Sequence, residues 1–418
     1  MLIHSASQLI CLRGGPQRGL ALGTLDIIEN GAVLIRDDTI QAVGSTKELL
    51  QRYPREEKLD ARQQVVMPGF VDPHTHLIWA GDRALEFNMR LEGKSYMEIM
   101  EAGGGIASTV KTTRLASDAD LLNAAEERGR AMLLHGTTTL EVKTGYALDI
   151  AGEQRLLEII MHLRNILPQD VIPTYLAAHA IAPEFAGNPA GYTRLLVEEA
   201  LPQLKKWWQQ RFPLEPLPFV DVFCEPAVFD LANTRAILST AHDLGFPLKV
   251  HADEFENIGG ASLAAKLKAT SADHLVKTKS EDIKALVAGN TVAVALPCTP
   301  FGLAENAYTP AQHIIAQSGL LALASDLNPG TAWCGNMQFV IALACRFMKL
   351  TPAQAIAAAT INAAAAIRMQ DKVGSLEPGK QADLLILKIP DYRHLGYRFG
   401  ENLVATIIKK GKVIHFHE

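Results

Sequence analysis

Two hydrophobic periods alternate along this chain. The runs VVMPGFV (65–71), TTTLEVK (137–143), VIPTYLA (171–177), FVDVFCE (219–225), PLKVHAD (247–253), ATSADHL (269–275), TVAVALP (291–297) and LLALASD (320–326) are short and largely apolar, and read as buried strands. Between most of them, apolar residues recur three and four apart, as on the buried face of a helix. The stretch ADLLNAAEERGRAMLLHG is one such helix, with Ser117 as its cap, and TRAILSTAHDLG is another, closed by Gly245. Eight β/α alternations predict an α/β protein, a (β/α)8 TIM-type barrel over residues 67–370, with its chemistry at the C-terminal strand ends. An open doubly wound sheet is the competing arrangement, but no G-x-G-x-x-G opens a helix after the first strand.

The two ends differ in style. Residues 1–66 contain GAVLIRDDTIQAVGS, which alternates like a hairpin, and residues 371–418 contain KQADLLIL and LVATIIKKGKVI. Together they predict a small β-rich domain built from both termini. The Pro-rich, aromatic KKWWQQRFPLEPLP reads as an insertion that packs on the surface.

Composition narrows the function classes. Hydrophobic residues make up 48% of the 418-residue chain, charged residues 20%, and the net charge is −5. That balance describes an ordinary globular protein with no basic surface for nucleic acid. No apolar run approaches the ~18 residues of a membrane span, and MLIHSASQLICLRGG lacks the pattern of a secretory leader. The five cysteines (11, 224, 298, 334, 345) are scattered and read as reduced thiols of a cytoplasmic protein, Cys224 and Cys298 as apolar fillers at strand ends.

The chemistry begins at His74-Thr75-His76. Residues two apart on a strand point the same way, so both imidazoles can reach one metal ion, at roughly 2.0–2.1 Å. Such a pair is a weak signal in a chain with 13 histidines, so the other strand ends matter. Strand five ends in His251, followed by Asp253 and Glu254; strand six offers His274, strand eight Asp326, strand three His179. Three imidazoles and a carboxylate suit zinc or ferrous iron with a position left for water, which implies metal-assisted hydrolysis. Each residue has a plainer reading. Asp326 would cap the next helix, Arg83 would pair with Asp82 on the surface, Glu254 would be a solvated charge, His274 would bond a loop, and Tyr96 and Tyr146 would pack. Gly103-Gly104-Gly105 lacks the Gly-Lys-Ser/Thr ending of a phosphate loop and reads as a loop over the site.

These motifs resemble the amidohydrolase superfamily, through PGFVDPHTH, the strand-five histidine, the strand-eight aspartate and VGSLEPGKQADLLIL. Within it the resemblance narrows over nearly the whole chain, through GDRALEFNMRLEGKSYMEIMEAGGGIASTVKTTR, LEVKTGYALD, VHADEF and SDLNPGTAWCGNM, to the branch that opens the ring of 4-imidazolone-5-propanoate. The resemblance implies hydrolysis of that cyclic amide to N-formimino-L-glutamate, a step of histidine breakdown. It implies one divalent ion, zinc or iron, held by His74, His76, His251 and Asp326. It implies that Arg83, Tyr96, Tyr146, His179 and Glu254 contact the substrate, with Asn328, Gly330 and Thr331 around the carboxylate formed on ring opening. Glu254, His274 and Asp326 would move protons, and the protein would be a homodimer. Two-metal relatives carry a carboxylated lysine at the end of strand four; here Glu225 stands there and Lys143 ends strand two, which favours one metal. The competing readings are another cyclic amidase, a cytosine or guanine deaminase-like enzyme, and an inactive barrel that serves as a scaffold.

Overall fold

A computed structural model describes residues 1–94, 98 and 104–416. Two eight-stranded sheets organise it. The first contains β1 (Leu2–Ile10), β2 (Ile27–Arg36), β3 (Thr39–Ser45), β4 (Lys58–Asp60) and β5 (Val65–Pro68) from the start of the chain. The second is the barrel: β6 (Phe70–Asp72), β7 (Thr137–Lys143), β8 (Asp170–Ala178), β9 (Phe219–Cys224), β10 (Lys249–Ala252), β11 (Ser271–His274), β12 (Val292–Ala295) and β13 (Leu321–Leu323). The chain then returns to the first sheet as β14 (Leu384–Leu387), β15 (Val404–Lys409) and β16 (Lys412–Phe416). The terminal sheet runs β16-β15-β14-β5-β1-β2-β3, with β4 beside β1. Its two tight hairpins turn where the sequence supplies residues for positive φ: Asp37 between β2 and β3, and Lys410-Gly411 between β15 and β16.

The barrel strands pair in parallel, in chain order. Their burial is almost complete on both faces, as a sheet wrapped by helices requires. Beyond the ends of β6 and β13 the main chain closes the ring. Thr75 bridges Leu327, the His76 N–H donates to the Leu327 carbonyl at 2.9 Å, and the Asp326 N–H donates to the His74 carbonyl at 3.1 Å. This closure excludes the open-sheet alternative. The helix Asp118–Leu134 is capped by Ser117, whose hydroxyl accepts from the Asp120 N–H, and Leu231–Asp243 is followed by Gly245 at φ +87°. In the 201–216 segment Trp208 is buried and its indole N–H donates to the Pro216 carbonyl, a packing role.

One expected strand divides. VVMPGFV is two strands, β5 in the terminal sheet and β6 in the barrel, with Gly69 between them. The chain passes so close to β7 there that a Cβ on Gly69 would lie 2.2 Å from Thr138 Oγ1. An apolar run reads alike whether one sheet or two bury it.

Candidate functional site

Six histidine and acidic side chains meet at the C-terminal strand ends. His74 and His76 leave the seam after β6, and Asp326 leaves the other side of the same seam after β13. His251 lies in β10, His274 ends β11, and Glu254 follows β10. His74, His76 and Asp326 can offer ligand atoms within 4.8 Å of one another, and so can His74, His251 and His274. Asp326 Oδ1 is 3.4 Å from His74 Nε2 and 3.5 Å from His76 Nε2. Asp326 and His274 sit at positive φ, +57° and +75°, a strained backbone that aims both side chains inward.

The donor set fits a divalent cation. The Nε2 atoms of His74, His251 and His274 are buried without a hydrogen-bond partner. Leaving such groups unsatisfied costs about 1–3 kcal/mol each. Burial, reinforced by the neighbouring cations and imidazoles, holds His74, His76 and His274 well below the usual histidine pKa, and a metal ligand must be neutral. Burial raises the Asp326 carboxyl to about 6 against the hydroxyl of Thr299, which donates to its Oδ2 at 2.5 Å.

Beneath the imidazoles lies a charged layer. His74 Nδ1 is 2.6 Å from Asp273 Oδ2, and His251 Nδ1 is 3.0 Å from Asp221 Oδ2, the latter close enough for an ion pair but off hydrogen-bond alignment. Lys143 Nζ donates to Asp221 at 2.8 Å and to Glu141 at 2.7 Å. Burial opposes that charge, but Asp221, Glu141 and Asp273 outweigh it and keep Lys143 above the ordinary lysine value. Lys249 Nζ reaches Ser271 Oγ at 2.9 Å, the Pro73 carbonyl at 3.1 Å and Asp273 Oδ2 at 3.4 Å. A carboxylate behind an imidazole fixes its tautomer and ring plane for ligation.

His76, His251 and His274 line a cavity of about 150 Å³, and Arg83, Asn328, Gly330 and Thr331 line it too. Tyr146, His179, Glu254 and Phe223 line it as well. His179 stacks on His76, with ring centroids 4.8 Å apart, and its Nδ1 lies 3.0 Å from the Gly145 carbonyl. Burial, with His251 beside it, lowers His179 to about 3, so the ring is neutral and Nδ1 carries the proton it gives to Gly145. Glu254 Oε2 is 3.5 Å from His274 Nδ1. Burial, with Asp326, Glu225 and Glu305 nearby, pushes the Glu254 carboxyl well above its usual range. Asn328 organises its own loop: Oδ1 accepts the N–H groups of Gly330 and Thr331, and Nδ2 donates to the Asp326 carbonyl.

The expected ligand, acid–base and substrate residues meet here except Tyr96, which lies outside the described residues, as does Gly103 of the glycine run; Asp253 instead bonds Thr278 and Asn257. Arg83 pairs with Glu86 rather than with Asp82. Asp326 does not cap a helix. Glu225, at the end of strand four, accepts the N–H groups of Glu254, Phe255 and Glu256 and so anchors the loop that carries Glu254. Glu153 does the same for the Tyr146 turn, accepting from Gly145, Ala147 and Leu148. Sequence reasoning missed Asp221, Asp273, Lys249 and Glu153. The signal for the first three was a charge inside an apolar strand, as in FVDVF and PLKV.

The amidohydrolase family model matches residues 65–414, and a model described as an imidazolonepropionase-like composite domain of bacteria matches residues 31–55. A protein of Herpetosiphon aurantiacus named imidazolonepropionase is 47% identical, the match covering 99% of this chain and 96% of that one. Another so named, from Chloroflexus aggregans, is 45% identical over 100% of this chain and 99% of its own. Among solved structures, an adenosine deaminase from Xanthomonas campestris with bound zinc superposes with a TM-score of 0.73 at 18% identity, covering 100% of this chain and 93% of that one. A triazine hydrolase variant does so with a TM-score of 0.77 at 15% identity over 100% and 94%. These two support the fold. The end-to-end sequence matches, together with the imidazole cluster that shares a cavity with Arg83, place the chain in the imidazolonepropionase family of amidohydrolases.

Proposed function

We propose that this chain hydrolyses the ring amide of 4-imidazolone-5-propanoate to N-formimino-L-glutamate, using one zinc or iron ion held by His74, His76, His251 and Asp326. One observation carries the reading: a guanidinium and a buried imidazole cluster line the same cavity, sized for a small ring with an anionic arm. When bound, the ion supplies Lewis-acid polarisation of a carbonyl and a water of lowered pKa.

The protein's own groups do the rest. Arg83 anchors the propanoate arm and turns binding energy into orientation of the ring. The tautomer of His179 turns its Nε2 lone pair toward a ring N–H. Asp326, fixed by Thr299, accepts the proton lost by the attacking water. Glu254, whose carboxyl burial pushes upward, delivers one to the departing ring nitrogen, with His274 beside it to orient the carboxyl. Asn328 fixes the Gly330–Thr331 loop beside the carboxylate formed on ring opening. Tyr146 closes one wall, and Tyr96 contacts the substrate by family resemblance. That resemblance also implies a cytoplasmic homodimer, which light scattering on the purified protein would test.

The deciding experiment incubates freshly made 4-imidazolone-5-propanoate with the protein and with His74→Ala, and follows product by mass spectrometry. Formiminoglutamate from the wild type alone is the expected result. No product from the metal-replete wild type would overturn this substrate, and ammonia release from a nucleobase would point to a deaminase.

A further inference from the structure

Glu86 stands in the first turn of the helix Ala84–Leu91, three residues after Arg83. Its carboxylate serves two masters. Oε2 accepts from Arg83 Nε at 2.8 Å and lies 2.7 Å from Nη2; Oε1 accepts the Gly105 N–H at 3.0 Å. A solvated pair at this spacing contributes little. Here Glu86 is only 8% exposed, and both of its oxygens are committed.

The consequence lies in what this leaves open on the guanidinium. With Nε and Nη2 occupied, the plane of Arg83 is fixed and Nη1 bears on Gly330, where a Cβ would lie 2.3 Å from it. Gly330 is also held from behind: Arg90 Nη2 donates to its carbonyl at 3.0 Å. Two guanidinium groups therefore flank one glycine, and Glu86 pairs with one of them, Arg83. Without the Glu86 charge they would repel, and Arg83, a long side chain with many rotamers, would swing out of the wall.

We propose that Glu86 is the positioning residue for carboxylate recognition. It holds the free edge of Arg83 toward the cavity, and its other oxygen is anchored by the Gly105 N–H. It does not touch the substrate. The inference rests on the assignment of Arg83 to the substrate's carboxylate arm.

The test compares inhibition by imidazole-4-propanoate with inhibition by its neutral amide, for the metal-loaded wild type, Glu86→Gln, Glu86→Asp, Arg83→Ala and the Glu86→Gln/Arg83→Ala double variant. Glutamine keeps the shape but removes the charge and turns an N–H₂ toward either the guanidinium or the Gly105 N–H. The expected result is that Glu86→Gln loses about tenfold of the preference for the carboxylate, the size of one charge-assisted contact. KM for the substrate rises in parallel with little change in kcat, Glu86→Asp recovers part of the loss, and Glu86→Gln adds nothing once Arg83 is gone. An equal loss for carboxylate and amide, or a further loss in the Arg83→Ala background, would overturn the proposal. If Glu86→Gln fails to fold, Glu86→Asp reads the same preference. If Arg83→Ala itself keeps the carboxylate preference, the assignment of Arg83 has failed; if Arg83→Ala loses it and Glu86→Gln does not, only the present inference has.

Discussion

The Nδ1 atom of His74 lies 2.6 Å from Oδ2 of Asp273, and both residues are fully buried. Asp273 is itself held, since its Oδ1 accepts from the Ser271 hydroxyl at 2.6 Å. The imidazole is therefore oriented before any ion arrives. Asp273→Asn should lower metal affinity about 10–100-fold while the protein stays folded. Metal content after dialysis against a chelator checks this, with activity recovering in excess metal. Retention equal to wild type would remove Asp273 from the site.

Gly330 has no room for a side chain. Gly330→Ala places a methyl against Arg83 Nη1 and should displace the guanidinium. We expect kcat/KM to fall about tenfold or more, carried mainly by KM, with little change in Tm. Steady-state kinetics and a thermal melt separate this from general destabilisation.

Gly69 tests the passage between the sheets. A Cβ there would meet Thr138 Oγ1 at 2.2 Å and Cγ2 at 2.4 Å, so Gly69→Ala should cost about 1–3 kcal/mol through overpacking. Thr138→Ala in the same chain should restore part of the loss, since the Thr138 Cβ at 2.8 Å remains. Calorimetry of the single and double variants reads the coupling directly.

Acid should loosen the join between barrel and terminal sheet. Asp170, in β8, takes Lys409 Nζ of β15 at 2.7 Å, and the same ammonium reaches Asp383 at 2.6 Å. Burial opposes ionisation, yet Lys409 holds the Asp170 carboxyl well below the usual range. A depressed carboxyl stabilises the fold fully above its unfolded value of about 3.9, and that contribution drains away as the pH falls toward the folded value. Asp170→Asn should therefore be less stable at pH 7, and its stability should fall less steeply between about pH 4 and pH 2. Denaturant melts across that range would show parallel curves if the pair contributes nothing.

The barrel was legible because each strand is a short apolar run bounded by polar residues, and the site because its ligands end those runs. Asp326 was ambiguous in sequence, where SDLNPG suits a helix cap equally well; only the seam with His74 decides it. The layer beneath the imidazoles was not legible in the same way. Asp221 and Asp273 belong to different strands, and no local spacing shows that each will sit under a histidine. Glu153 and Glu225 look like ordinary helix and loop charges until the N–H groups they gather are seen in space.

The pairing of β5 with β14 has a consequence for synthesis on the ribosome. Val66 pairs with Ile386, so one edge of an apolar strand made early has no partner until more than 300 further residues have been added. At roughly 5–20 residues per second that is a delay of about 15–60 s. Throughout it, Val65, Val66 and Met67 present a sticky, unfinished border to every other nascent chain nearby. That exposure belongs to synthesis, and it ends when β14 closes over the open edge of β5.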